Sequence, residues 1–219
     1  MTLLDFARGP ALETALAIFA FGVLWRLAAL LFLPWPRERS VPRRSAPAIL
    51  VGAAQSFVRH FWPRQPYLAA TLFATLNSYV FHVGLAVVVF GMEQHILFLR
   101  SLFGVSWPNL PGAFITLAAI LTLASLGAAL VRRLTHPVLR LISTFDDYLS
   151  WLMTFLPVLS GLVAVNHLWL SYERLLALHI LSVAAFLIWF PFGKLMHAFL
   201  VFLTRSETGI FYSRRGSVI

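Results

Sequence analysis

Residues 174–204 read RLLALHILSVAAFLIWFPFGKLMHAFLVFLT. After Arg174 the only charge in this stretch is Lys194. A helix rises ~1.5 Å per residue, so the stretch is long enough to cross a bilayer core of about 30 Å. It carries His179 and His197, eighteen residues apart. At ~100° per residue, eighteen steps are five whole turns. An unbroken helix over 175–204 therefore puts both rings on one face, ~27 Å apart along the axis. Pro191 lies between them. In a membrane helix proline is tolerated where neighbours satisfy the freed carbonyl, so the expectation is one continuous fifth span.

The rest of the chain has the same character. Of 219 residues, 60% are hydrophobic and 11% charged. Soluble domains carry about 25% charged residues, so this is an integral membrane protein. The size suits one all-α bundle, residues 1–219, rather than two domains. Spans are expected at about 11–33, 67–92, 113–131, 148–165 and 175–204. No basic region precedes the first apolar run, which is therefore read as a retained span and not a signal peptide. Between spans one and two lies a basic loop, 34–66, with Arg37, Arg39, Arg43, Arg44, Arg59 and Arg64 against Glu38. Within it, 48–62 is apolar enough to form a short helix on the membrane surface or against a partner.

The absence of cysteine excludes iron–sulfur clusters, thiolate metal sites, disulfides and covalently attached haem. The net charge of +9 does not imply nucleic acid, because the basic residues flank apolar spans. Loop 34–66 holds six of them, the loop after span three holds Arg132, Arg133 and Arg140, and the tail holds Arg205, Arg214 and Arg215. The opposite side has Arg8, Arg100 and Arg174. Twelve against three puts the N-terminus outside and the C-terminus in the cytoplasm.

In that orientation spans two and five are antiparallel. His82 and His197 fall near the cytoplasmic face, and His95 and His179 near the outer face. Ionisable groups at such depths are costly and mark function by default. Two histidine pairs, one at each depth, suggest two stacked cofactors, and imidazole is a common axial ligand of haem iron. The bland alternative is a set of interhelical hydrogen bonds or a water-lined cavity. Met92 competes with His95 as the outer partner: the axial rise from His82 favours His95, the rotation favours Met92. Met92 and His95, three residues apart, are expected on neighbouring positions of one helix face. His60, His136 and His167 read as surface or capping residues. Lys194 reads either as a partner for haem propionates or as a snorkelling lysine.

Three stretches carry a resemblance: FHVGLAVVVFG (81–91), RRLTHPVLRLISTFDDYLSWLMTFLPVLSGL (132–162) and LHILSVAAFLIWFPFGKLMH (178–197). The chain resembles the gamma subunit of respiratory nitrate reductase, a five-span membrane cytochrome b. It is also similar to related cytochrome b subunits of sulfite-reduction-associated and heterodisulfide-reductase-like complexes. The resemblance covers spans two to five. It implies two b haems, each held by one histidine from span two and one from span five. His82 would pair with His197, and His179 would ligate the outer haem. Where that family has its second span-two histidine, this chain has Met92, so His95 is taken as the fourth ligand, with Met92 as the alternative. The resemblance further implies quinol oxidation near the outer haem, electron transfer to a cytoplasmic iron–sulfur subunit with a catalytic subunit beyond it, and a place in the inner membrane of a prokaryote. The chain would be an electron-transfer subunit, not a complete enzyme. The rival readings are a transporter or proton relay, opposed by the absence of repeats and of broken helices, and a haem-free membrane anchor.

Overall fold

The structure is a computed structural model that describes residues 1–34 and 41–217. Trp35 to Ser40 of the basic loop, including Arg37, Glu38 and Arg39, lie outside the described residues. Nine helices and no strand are present among those described. They are α1 (Leu3–Leu31), α2 (Ala46–Arg59), α3 (Gln65–Gly91), α4 (Glu93–Phe103), α5 (Gly112–Thr135), α6 (Pro137–Ile142), α7 (Phe145–Val165), α8 (Tyr172–Trp189) and α9 (His197–Arg214). Five of these, α1, α3, α5, α7 and α8, are long and apolar enough to cross a membrane, as the sequence implies.

Local chemistry explains the boundaries. Thr2 and Asp5 form a reciprocal capping box at the start of α1, and Thr144 and Asp147 form another at the start of α7. Gly104, at φ 74°, ends α4 in the left-handed conformation that glycine adopts without strain. His136 precedes Pro137 and is extended, which separates α5 from α6.

Two expectations are corrected. The fifth span is not continuous: α8 stops at Trp189, and a short 3-10 turn, Lys194–Met196, leads into α9. Proline has no N–H to donate and its ring crowds the carbonyl four residues back, so the chain leaves the helix at Pro191. Buried neighbours hold the break rather than reclosing the helix across it. His179 and His197 thus belong to two helices, and the straight-helix spacing of ~27 Å does not describe the molecule. Second, Met92 is the extended corner between α3 and α4 (φ −81°, ψ 130°), so Met92 and His95 do not share one helix face.

The spans form an open horseshoe. In spatial order they run α3, α5, α7, α8, α1, each packed on the next. α3 rests on α5 and α4, with at most marginal backbone contact to α8 or α9. A polar staple fixes α3 to α5: the Asn77 side-chain amide donates to the Ser125 carbonyl at 3.1 Å, and Ser125 Oγ donates to the Asn77 carbonyl at 2.8 Å. Interhelical hydrogen bonds inside a membrane contribute about 0.6 kcal/mol each. Trp151 Nε1 donates to the Leu126 carbonyl at 2.9 Å and links α7 to α5. Gly22 lets α1 approach the break closely, since a Cβ there would stand 2.6 Å from the buried Pro191 ring.

α2 and α9 pair as an antiparallel hairpin beyond the spans. Arg43 N donates to the Arg214 carbonyl at 2.8 Å, Ser213 Oγ to the Ala48 carbonyl at 3.2 Å, and the rings of Phe57 and Phe202 stack at 5.4 Å. The expected short helix after span one therefore exists, and its partner is the chain's own last helix. The tyrosine hydroxyl of Tyr79 donates to the Phe61 carbonyl and ties the hairpin to α3.

Candidate functional site: two facing histidine pairs

The open side of the horseshoe is bridged by four imidazoles. "Inner" and "outer" follow the orientation expected from charge. The inner pair is His82 on α3 and His197 at the start of α9, with ring centres 6.1 Å apart and planes at 90°. The outer pair is His95 on α4 and His179 on α8, also 6.1 Å apart, with planes at 27°. The inner rings are exposed and the outer rings half-buried.

Each ring is held by its Nδ1. His82 Nδ1 donates to the Ser78 carbonyl at 2.7 Å, His197 Nδ1 to the Lys194 carbonyl at 2.8 Å and His95 Nδ1 to the Val88 carbonyl at 3.0 Å. A carbonyl only accepts, so these three Nδ1 atoms carry the proton. His179 Nδ1 lies 3.2 Å from Ser160 Oγ. Ser160 gives its hydroxyl proton to the Leu156 carbonyl at 2.7 Å, which leaves an oxygen lone pair for an N–H on His179. His179 also hydrogen-bonds the Pro157 carbonyl, and the Nε2 atoms of His82, His95 and His197 bond no described residue. In metal-binding histidines a bond of this kind fixes the tautomer and leaves the other nitrogen to face the metal.

The spacing fits a metal between the rings. A metal–imidazole bond is about 2.0 Å and the bonded nitrogen sits about 1.1 Å from its ring centre, so trans imidazoles have centres about 6 Å apart. Both pairs have that separation. Among the described residues no group of three or more His, Cys, Asp or Glu gathers to hold a bare ion. A porphyrin asks for less, because the macrocycle fills the equatorial positions and leaves only the axial ones to protein side chains.

At the outer pair there is room for such a plane. A cavity of about 510 Å³ opens beside His95 and His179, with mostly apolar walls that include Val88, Phe98, Ile115 and Val158. Gly161 helps to make the space: a Cβ there would come 3.0 Å from Cε1 of His179. His95 reaches this site because the corner at Met92 redirects the chain, and the corner is itself pinned by Leu110 N to the Gly91 carbonyl (2.9 Å) and Trp107 Nε1 to the Phe90 carbonyl (2.6 Å). Met92 lines the same cavity. Of the two outer candidates it is His95 whose ring stands opposite His179.

At the inner pair the organising feature is a polar cluster that the sequence did not reveal. The nearly buried Asp147 receives Lys194 Nζ at 2.6 Å and Arg133 Nη1 at 3.0 Å. Asp146 Oδ1 accepts from Lys194 N at 3.3 Å and from Ser150 Oγ at 2.8 Å, while Trp189 Nε1 donates to Ser150 Oγ at 2.9 Å. The start of α7 thus clamps both sides of the break, and Lys194, through its carbonyl, sets His197. Lys194 is neither a free snorkelling lysine nor open to a propionate in this arrangement; it is paired with Asp147.

The remaining histidines stay outside the pairs. His60 caps α2 through Ser56, His136 sits at the α5–α6 joint, and His167 stacks on Tyr172 at 4.9 Å. His60 makes the same Nδ1–carbonyl bond as the paired rings yet faces no second histidine, so that bond alone does not identify a ligand.

No family model matches the chain, and no solved structure matches it. A Nitratidesulfovibrio vulgaris protein, named only "Protein", is 29% identical over 220 residues, which cover 96% of this chain and 94% of that one.

Proposed function

We propose that this chain is a membrane cytochrome b subunit that holds two b haems and carries electrons between quinol and a cytoplasmic iron–sulfur partner of a larger oxidoreductase. The observation that carries the reading is the repeated 6.1 Å separation of two histidine pairs, each with its Nδ1 atoms engaged. His82 and His197 would hold the inner haem and His95 and His179 the outer one. A haem so held supplies one-electron transfer. The residues supply position: carbonyls and Ser160 fix the tautomers, mostly apolar walls surround the outer site, and the Asp147 cluster fixes the inner one. The excess of basic residues on one side supports an N-out, C-in orientation in a prokaryotic inner membrane.

The broken fifth span favours a second reading, a transporter or proton relay with the histidines as carriers. The visible spectrum of the purified protein separates the two. A reduced b-type band lost in His179→Ala or His197→Ala supports the cytochrome. A colourless protein from haem-replete cells refutes it.

A further inference from the structure

Arg8 stands apart from the machinery above. It lies in α1, the one span besides α5 and α7 that contributes no histidine, and, though exposed, it lines the outer cavity with His95 and His179. Among the described residues lining that cavity, it carries the only full charge. It makes no hydrogen bond or ion pair with a described residue. Asp5, one turn earlier, feels the charge of Arg8 but gives its hydrogen bonds to the capping box with Thr2, whose N–H it accepts at 2.8 Å.

The helix is distorted where Arg8 sits. Residues Ala7–Ala11 form a π turn, in which Leu12 N–H reaches back to the Ala7 carbonyl, and Pro10 lies inside it. One extra residue in a turn rotates everything before it by about 100° relative to a regular helix. Such single π turns occur mostly at functional sites. This one packs on α8, the helix that carries His179. Ala7, fully buried beside it, lets the two backbones approach.

We propose that Arg8 is the anchor for the acidic edge of the outer cofactor: its guanidinium pairs with a haem propionate. The inference rests on the cytochrome reading and adds a binding group from a span with no ligand. A haem bridging His95 and His179 is apolar over most of its surface, and its charged groups are its propionate carboxylates. Burying a carboxylate in an apolar cavity without a partner is costly, and a planar guanidinium is the side chain that matches it with two parallel hydrogen bonds. Arg8 is the charge the cavity provides for it.

The test is a redox titration of the purified, haem-loaded full chain, with each haem assigned by comparison with His179→Ala and His197→Ala. Reduction adds an electron to the outer site, and a nearby cation stabilises the reduced form. Arg8→Gln should therefore shift the outer haem toward the oxidised form by roughly tenfold at a fixed potential, about 59 mV for a one-electron couple. Arg8→Lys keeps the charge and should show only a small part of that shift. The inner haem should not move in either. Two haems with an unchanged outer potential in Arg8→Gln, or an equal shift at both haems, would overturn the role of Arg8 while leaving the cytochrome intact. A wild-type protein without haem would instead overturn the cytochrome reading itself, before Arg8 is reached.

Discussion

Gly84 offers a quantitative test of how α3 is held. It lies two residues after His82 and faces α5. A Cβ at this position would collide with Thr122 Oγ1 and stand 3.2 Å from the Ala118 carbonyl oxygen. Thr122 is fully buried and its hydroxyl donates to that same carbonyl at 2.7 Å, so it has no open rotamer to escape into. Gly84→Ala must therefore push α3 away from α5 or break the Thr122 bond. Overpacking of this kind costs about 1–3 kcal/mol. Removing the obstacle should recover most of it. In the double variant Gly84→Ala/Thr122→Ala the new methyl meets the residue 122 Cβ at 3.5 Å, an ordinary contact, and only the Ala118 oxygen remains tight. The expected coupling between the two sites is about 1 kcal/mol or more, well beyond the additivity of distant sites. Reversible unfolding in mixed detergent micelles measures all four corners of the cycle, and inner-haem content follows in the same samples. If Gly84→Ala is as stable as the parent, or the two changes simply add, the close approach of α3 to α5 is not as described.

Four further outcomes follow from the geometry. The inner rings are perpendicular and the outer rings nearly parallel. Low-temperature electron paramagnetic resonance of the oxidised protein should show one strongly anisotropic and one ordinary rhombic low-spin signal, lost respectively in His197→Ala and His179→Ala; two identical signals would contradict the ring angles. Asp147→Asn removes the partner of Lys194 and Arg133 and should loosen the start of α9, so inner-haem affinity falls at least tenfold in competition with apomyoglobin while outer-haem affinity holds; equal losses at both sites would count against the clamp. Gly209→Ala drives a methyl to within 2.6–2.7 Å of the Gly52 carbonyl and the Ala53 and Ser56 backbone and Cβ atoms, and should separate α2 from α9; cleavage within 46–59 should then speed up under limited proteolysis, and an unchanged pattern would refute the pairing. Reporter fusions at Arg43 and Arg140 should both read cytoplasmic, and a split result would sink the N-out topology.

Much of this was legible in the sequence because it rests on length and burial of apolar runs. The five spans, the antiparallel sense of spans two and five and the grouping of four histidines into two depths all come from hydropathy and charge counting. The break after Trp189 was not, because whether a proline interrupts a membrane helix depends on the neighbours around it. Here Gly22 accommodates the Pro191 ring, and Asp146, Ser150 and Trp189 hold the chain after it turns. Asp147 and Lys194 are 47 residues apart, and no local pattern announces such a pair. Choosing between Met92 and His95 by helical rise and rotation failed for a related reason: the corner at Met92 removes the single helix on which that arithmetic depends. Arg8 was visible only as one basic residue on the sparsely charged side. Its direction comes from the π turn around Pro10, and periodicity assumes a regular helix.

The horseshoe has a bearing on how the protein matures. Among the spans α3 packs on α5, with α4 and the Tyr79–Phe61 bond as its other ties, while α8 and α1 lie across the opening, and the imidazoles meet there with at most marginal packing of their helices. The weaker seam between these two groups of helices is α5 against α7, near Trp151 and Leu126. On the function proposed above, a haem held across the opening would join the two groups, and a chain made without it would keep α3 braced from one side of the bundle.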